Sequence, residues 1–393
     1  MYCEGIPIAL DALGHQRGYL LHEQGIVTWH AQRKRGGGSM TMREGRLPLL
    51  VRLSLVGVCF TVVVILVGAW TRLSDAGLGC PDWPGCYGQF VVPDAGTAEL
   101  HTPDAPLESA KAWVEMSHRY IATALGLLVL GLVWLGAPLR REKGYPWGVS
   151  LALLGMILLQ GAFGAYTVTL KLWPQVVTLH LLGGLTVMLL FLWLHLRLRQ
   201  YLTGRSHFGW LRAPRRLTPL WGAAIVLLVL QLALGGWTTS NYAGIACQGF
   251  PTCNGQWWPD TDWSEGFHLT QTVGPNYLFG QLHAEARATI HFAHRLGAIV
   301  LGLLIVLLYW RYARESHMRL PLLALLASYV SQVALGIANV LLWLPLGLAL
   351  LHTAGAVMVT IAMAFCLWQW RHGSILSRFS SSKPIDSGGI AHA

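Results

Sequence analysis

The chain has 393 residues, 54% of them hydrophobic and only 12% charged, with 18 tryptophans and a formal net charge of +10. Soluble domains carry about twice that share of charge, so the composition excludes a disordered chain, a nucleic-acid-binding domain and an ordinary cytosolic enzyme. It fits a polytopic membrane protein, and the basic excess is then a topology signal rather than an affinity for a polyanion.

Residues 1–42 come first and stand apart. They are polar, contain the run Arg33-Lys34-Arg35-Gly36-Gly37-Gly38 and lack the apolar core of a signal peptide. Two readings fit: a translation start placed too early, with Met40 and Met42 just ahead of the first span, or a short cytoplasmic tail. Eight apolar segments follow, at about 50–70, 119–138, 148–168, 176–196, 219–238, 292–311, 320–342 and 346–370. Each can cross a bilayer as a helix, which satisfies its own backbone hydrogen bonds in lipid. The runs are continuously apolar, unlike the alternating strands of a membrane barrel.

Eighteen Lys and Arg residues fall on one side of these spans and six on the other, with four more in the first 42 residues. By the positive-inside rule both termini are cytoplasmic, and the long loops at about 71–117 and 239–290 face outward.

The chain also repeats itself. Gly68-Ala69-Trp70-Thr71-Arg72, then Cys80 and Cys86, follow the first span; Gly235-Gly236-Trp237-Thr238-Thr239, then Cys247 and Cys253, follow the fifth, 167 residues later. His118-Arg119 matches His294-Arg295, Gln160 matches Gln332, and His180 matches His352. With four spans per copy, both enter the membrane the same way. The predicted fold is an all-α integral membrane protein of eight transmembrane helices, arranged as two tandem four-helix bundles related by a pseudo-twofold axis. The first unit covers 43–200, the second 201–372, and a cytoplasmic tail 373–393.

Histidines at membrane depth are candidates for function, because ionisable groups are costly there. His118, His180, His294 and His352 all lie near the outer ends of their spans, two per copy and on alternate helices. Two neutral imidazoles facing each other across a bundle core suit the axial positions of a haem iron. Arg119 and Arg295 could then pair with haem propionates. Each copy offers no thiolate at that depth, which disfavours zinc or copper.

One difference breaks the repeat: Glu115 stands three residues before His118, where His291 stands three before His294. On a helix Glu115 shares the face of His118. It is either a carboxylate serving chemistry at the first site or a partner for Arg119. In the outer loops, Cys80 pairs naturally with Cys86 and Cys247 with Cys253, as disulfides in an oxidising compartment. They act as loop staples or as a redox relay.

Together, Glu115-x-x-His118-Arg119, His180, His294-Arg295, His352 and the cysteine loops make residues 50–370 resemble the haem A synthases of the cytochrome oxidase assembly family, in its cysteine-containing bacterial form. The resemblance implies oxidation of the C8 methyl group of haem O to a formyl group by successive hydroxylations. It implies haem b as cofactor on His294 and His352, substrate haem on His118 and His180, and Glu115 in the chemistry at the methyl group. Haem iron is the only metal implied. It also implies an inner-membrane protein with periplasmic cysteine loops and a haem O synthase as supplier, and leaves open the electron acceptor, the source of the formyl oxygen and a homo-oligomeric state. Three rivals share some of these residues. A di-haem b-type cytochrome would usually place one site near each membrane face, a haem carrier has no need of Glu115, and a thiol oxidoreductase leaves the histidines unexplained.

Overall fold

The computed structural model describes residues 9–10, 16–22, 25–30, 37–202 and 215–373, with side chains for 45–202 and 215–373. The predicted tail beyond 373 lies outside these residues, as do Arg205, Arg212, Arg378 and Lys383 of the basic residues counted above. Residues 1–48 and 49–393 form two compact units. In the first, strands β1 (Ala9–Leu10), β2 (Gln16–His22) and β3 (Gly25–His30) form a small antiparallel sheet, with Arg17 opposite His30 and Leu21 opposite Ile26. The extension therefore has backbone structure that composition did not suggest; of its strands β3 is rich in β-branched and aromatic residues, Ile26, Val27, Thr28 and Trp29.

Among the described residues, eight helices are long and apolar enough to cross a membrane. They are α1 (Gly37–Leu73), α3 (Ser109–Gly136), α4 (Trp147–Thr169), α5 (Pro174–Leu202), α6 (Pro219–Ser240), α8 (Ala284–Tyr312), α9 (Ser316–Leu341) and α10 (Leu346–His372), with α2 (Ala95–His101) and α7 (Trp263–Gly266) in the loops between them. The all-α reading of the membrane part holds. Three helix starts differ from hydropathy by about ten residues, and the first is α1, which begins at Gly37 ahead of the apolar run at about 50. Helices α3 and α8 begin at Ser109 and Ala284, so His118 and His294 sit some 14 Å inside their helices. The extra turns, Ser109–Ser117 and Ala284–Ala293, contain Lys111, Glu115, Glu285 and Arg287, which lower hydropathy without opposing a helix.

In the first copy α3 packs on α4 and α4 on α5, while α1 meets α5 where Gly57 leaves no room for a Cβ beside Phe191. In the second copy α6 packs on α8, α8 on α9, α9 on α10 and α10 on α6. Its core joins Trp221, Ile305, Leu308, Leu322, Leu325 and Met363, all nearly fully buried, with Trp221 stacked on Tyr312. The copies meet along α5 and α6, where Thr178 and Ser240 stand 3.2 Å apart.

Residues 167 apart touch at this junction. Arg72 donates to the carbonyl of Thr239 at 2.7 Å, and Tyr242 donates to Asp75 Oδ1 at 3.1 Å. The Arg72 guanidinium lies 3.8 Å above the Tyr242 ring, a cation–π contact. The loop that follows α7 reaches over the α4–α5 turn, where Trp173 donates to the Gln271 carbonyl and Tyr277 N–H to that of Lys171, both at 3.0 Å.

Candidate functional site

Both disulfides form, Cys80–Cys86 and Cys247–Cys253. Each loop then reverses in the same way. Tyr87 and Gly88, like Asn254 and Gly255, have positive φ, and the N–H of Cys86 or Cys253 bonds the carbonyl of Gln89 or Gln256 at 2.7 and 2.8 Å. Two consecutive left-handed residues make a tight hairpin turn, for which Gly at the second position is suited. In the first loop Asp82 also accepts from the N–H groups of Tyr87 and Gly88.

The two arginines after the helical histidines grip these loops. Arg119 donates to the carbonyls of Gly85 and, at 3.2 Å, Pro84. Arg295 donates to Thr252, at 3.1 Å, and to Cys247. Gly85 and Thr252 are equivalent positions, so this is one repeated contact. Arg295 reaches its two carbonyls through separate guanidinium nitrogens, whereas Arg119 reaches both through Nη1 and keeps Nη2 for Glu115. The structure thus engages with loop backbone the groups that sequence reading turned toward propionates.

Glu115 is 4% exposed. Its Oε2 accepts from the Cys80 N–H at 2.9 Å and its Oε1 from Arg119 at 2.6 Å. Helix α3 makes both possible: Arg119 is one turn on, on the same face. A carboxylate buried between a guanidinium and an amide N–H is a fixed negative charge, already paired. Both functions considered for it, partner to Arg119 and charge beside His118, are compatible with this placement. The equivalent His291 is also buried, with its Nδ1 unpartnered.

His118, His180, His294 and His352 share a setting that sequence reading missed. Each turns the Cε1 edge of its ring toward a glycine on the neighbouring helix. A Cβ on Gly68 would lie 2.8 Å from His118 Cε1, one on Gly235 3.3 Å from His294, one on Gly336 3.0 Å from His352, and one on Gly164 3.6 Å from His180. Three of these distances are too short for a comfortable Cβ, and the glycines recur at matching places in the two copies.

These residues fit a haem ligand set. Nδ1 of His118, His180 and His352 is buried without a hydrogen-bond partner, a costly state that suits a group reserved for a ligand. The rings nevertheless keep a partly accessible surface. Among the described residues no three His, Cys, Asp or Glu gather as a cage for a free metal ion. Paired imidazoles are the arrangement on offer, and pairs are what an iron already held by a macrocycle needs.

Comparison with known proteins points the same way. The family model for the cytochrome oxidase assembly protein matches residues 51–364. A "Heme A synthase" of Shewanella oneidensis is 42% identical over 338 residues, 85% of this chain and 99% of that protein. Proteins of the same description from Paracoccus denitrificans and Symbiobacterium thermophilum are 32% and 30% identical, over 78% and 76% of this chain and 84% and 88% of theirs. The match spans all eight membrane helices and both cysteine loops, and on it the chain belongs to the cytochrome oxidase assembly protein family.

Proposed function

We propose that the protein is a haem A synthase, an oxidoreductase of haem A biosynthesis that converts the C8 methyl group of haem O to a formyl group. The observation that carries the reading is the fourfold setting of His118, His180, His294 and His352, each against a neighbouring glycine, in a chain of this family. His294 and His352 would hold haem b in the second of two four-helix units, and His118 and His180 the substrate haem in the first. Bound haem supplies the one-electron and oxygen chemistry that amino-acid side chains lack.

The chain's own part is binding, orientation and charge. Glu115 keeps a negative charge one helical turn from His118, and the Cys80 N–H and Arg119 hold that charge in place. A carboxylate fixed before the reaction stabilises positive charge developing at a neighbouring carbon, or holds a water there, without reorganising. The second unit has His291 at that position, which fits a site that carries electrons and makes no bonds. The lopsided Lys and Arg distribution supports an inner-membrane placement with the cysteine loops in the periplasm. A haem O synthase would supply the substrate.

The pairing of Glu115 with Arg119 also suits a haem carrier, in which the carboxylate only braces the loop. Acid–acetone extraction of protein purified from cells that also make haem O, followed by chromatography with mass detection, decides. Haem A or a hydroxylated haem O beside haem B is expected. Haem B alone, two per chain with haem O plentiful, overturns the synthase reading.

A further inference from the structure

Three of the four histidines sit in one reciprocal joint. On the helix that carries the histidine, a glycine follows three residues later: Gly183 after His180, Gly297 after His294 and Gly355 after His352. On the facing helix, a glutamine precedes by four the glycine that receives the ring: Gln160 before Gly164, Gln231 before Gly235 and Gln332 before Gly336. Spacings of three and four place each pair on one helix face. Ring therefore meets glycine in one direction and amide meets glycine in the other. The amides of Gln160, Gln231 and Gln332 press on Gly183, Gly297 and Gly355 so closely that a Cβ there would push the amide aside.

Two of these amides also reach the imidazole. Gln231 Nε2 lies 3.1 Å from His294 Nδ1 and donates to the His294 carbonyl at 3.0 Å. Gln332 Nε2 lies 3.3 Å from His352 Nε2. Both bonds belong to the second copy. In the first, Gln160 packs on Gly183 and its Nε2 makes no hydrogen bond.

The fourth histidine departs at both places. Val64 stands four residues before Gly68, and Ile121 stands three after His118. The α1–α3 corner thus has two apolar side chains where the other three corners interlock an amide with a glycine. It is also the corner that has Glu115 where its counterpart has His291. Two independent differences between the copies converge on the surroundings of one histidine.

A resident cofactor must stay bound, whereas a substrate haem must enter and its product leave in every turnover. Both ligands of the exchanging haem must release in the end, and one of them has to let go first. We infer that Gln160, Gln231 and Gln332 are positioning residues that brace His180, His294 and His352. His118, the one ring without such a brace, is the exchangeable ligand through which haem O is admitted and haem A released. This rests on the haem assignment proposed above and adds to it which ligand yields.

Carbon monoxide tests it, because an iron held by two histidines takes up that gas only when one of them leaves. The holoprotein is reduced, titrated with carbon monoxide, and separately mixed with apomyoglobin to follow haem transfer. In the wild type, one of the two haems should react and transfer. Grafting the joint onto the fourth corner, with Val64→Gln and Ile121→Gly together, should lower the reactive fraction and slow transfer, each by about tenfold, the value of one added hydrogen bond. Gln231→Met, which keeps the volume and removes the amide, should create a second reactive fraction. Grafted holoprotein that reacts and transfers like the wild type overturns the inference. If the graft retains no haem, Gln231→Met decides, and no new reactive fraction overturns it. Protein that purifies without any haem removes this inference and the synthase reading together. Haem B as the only extracted pigment, with the graft effect intact, removes the synthase reading alone.

Discussion

Glu115 and Cys80 are joined by a hydrogen bond from the cysteine's backbone N–H to the carboxylate, 2.9 Å long, so the disulfide loop is tied to the helix turn that carries His118. The tie runs through the cysteine's backbone rather than its sulfur. It separates two roles for Glu115 that a single alanine substitution would confuse.

Glu115→Gln keeps an acceptor for the Cys80 N–H and removes the charge. If the charge serves the chemistry, this variant retains both haems and a melting temperature within a few degrees of the wild type, and product falls by about 100-fold or more. Glu115→Ala should in addition lower thermal stability, by about 2 kcal/mol, because Arg119 Nη2 and the Cys80 N–H lose their acceptor in a buried place. Haem content, melting temperature and extracted haem A, measured on both variants, check this. Full activity in Glu115→Gln would reduce the residue to a brace.

Arg119 and Arg295 grip the equivalent carbonyls of Gly85 and Thr252, and each guanidinium spreads its donors over more than one acceptor. Arg119→Lys and Arg295→Lys should each loosen their own loop and leave the other unchanged. Hydrogen exchange resolved by peptide should show faster exchange over residues 80–90 in the first variant and 247–257 in the second. An opening cost lowered by about 1–3 kcal/mol corresponds to the lost charged hydrogen bonds.

The disulfides should differ in consequence although their spacing is the same. Closing a loop of this length is worth about 2 kcal/mol in either copy. Cys80→Ser with Cys86→Ser also loosens the partner of Glu115, and should lower product formation several-fold. Cys247→Ser with Cys253→Ser has no carboxylate to misplace and should cost stability with little change in product. Equal losses of activity in both double variants would point instead to a relay that uses the thiols.

At the junction between copies, Tyr242 is a donor to Asp75 and lies under Arg72. Burial raises its phenol above the ordinary 10.0. A raised phenol favours folding fully below pH 10, and that contribution is lost as pH rises through the shifted value. Stability should therefore be level up to about pH 10 and fall above it, and Tyr242→Phe should flatten the fall while costing about 1 kcal/mol at neutral pH. Arg72→Ala should cost more, about 2–3 kcal/mol, since Arg72 also binds the Thr239 carbonyl. Thermal unfolding in detergent across pH 7–11 measures all three.

Much of the molecule was legible in the chain. The eight spans follow from apolar length, and the histidine pairs from the repeat. The ends of α3 and α8 were not, because a helix that continues past the apolar zone carries Lys111, Glu115 and Arg287, and hydropathy registers polarity rather than backbone state. The arginine contacts were hidden for a different reason. A guanidinium suits a propionate and a pair of carbonyls equally well, and only the fold shows that Gly85 and Thr252 come within reach. The glutamine–glycine joints were visible in principle. Gln160 and Gln332 stood out as repeated, and the i, i+4 spacing to Gly164 and Gly336 was there to read. Their meaning needed the facing helix, since a glycine at His+3 has no significance until an amide is found pressing on it.

Arg72 binding its own counterpart, Thr239, bears on the origin of the molecule. In a symmetric dimer of identical copies, a residue this close to the axis faces itself. Arginine would meet arginine and Asp75 would meet Asp75, and neither like-charged pair can make the bonds present in this chain. Joining the copies in one polypeptide released the axial positions from being their own partners. One copy could then keep a cation and a carboxylate while the other acquired a carbonyl and a phenol to receive them. The same release leaves Glu115 and His291 free to differ at equivalent positions, a freedom that tandem duplication has and symmetric dimerisation lacks.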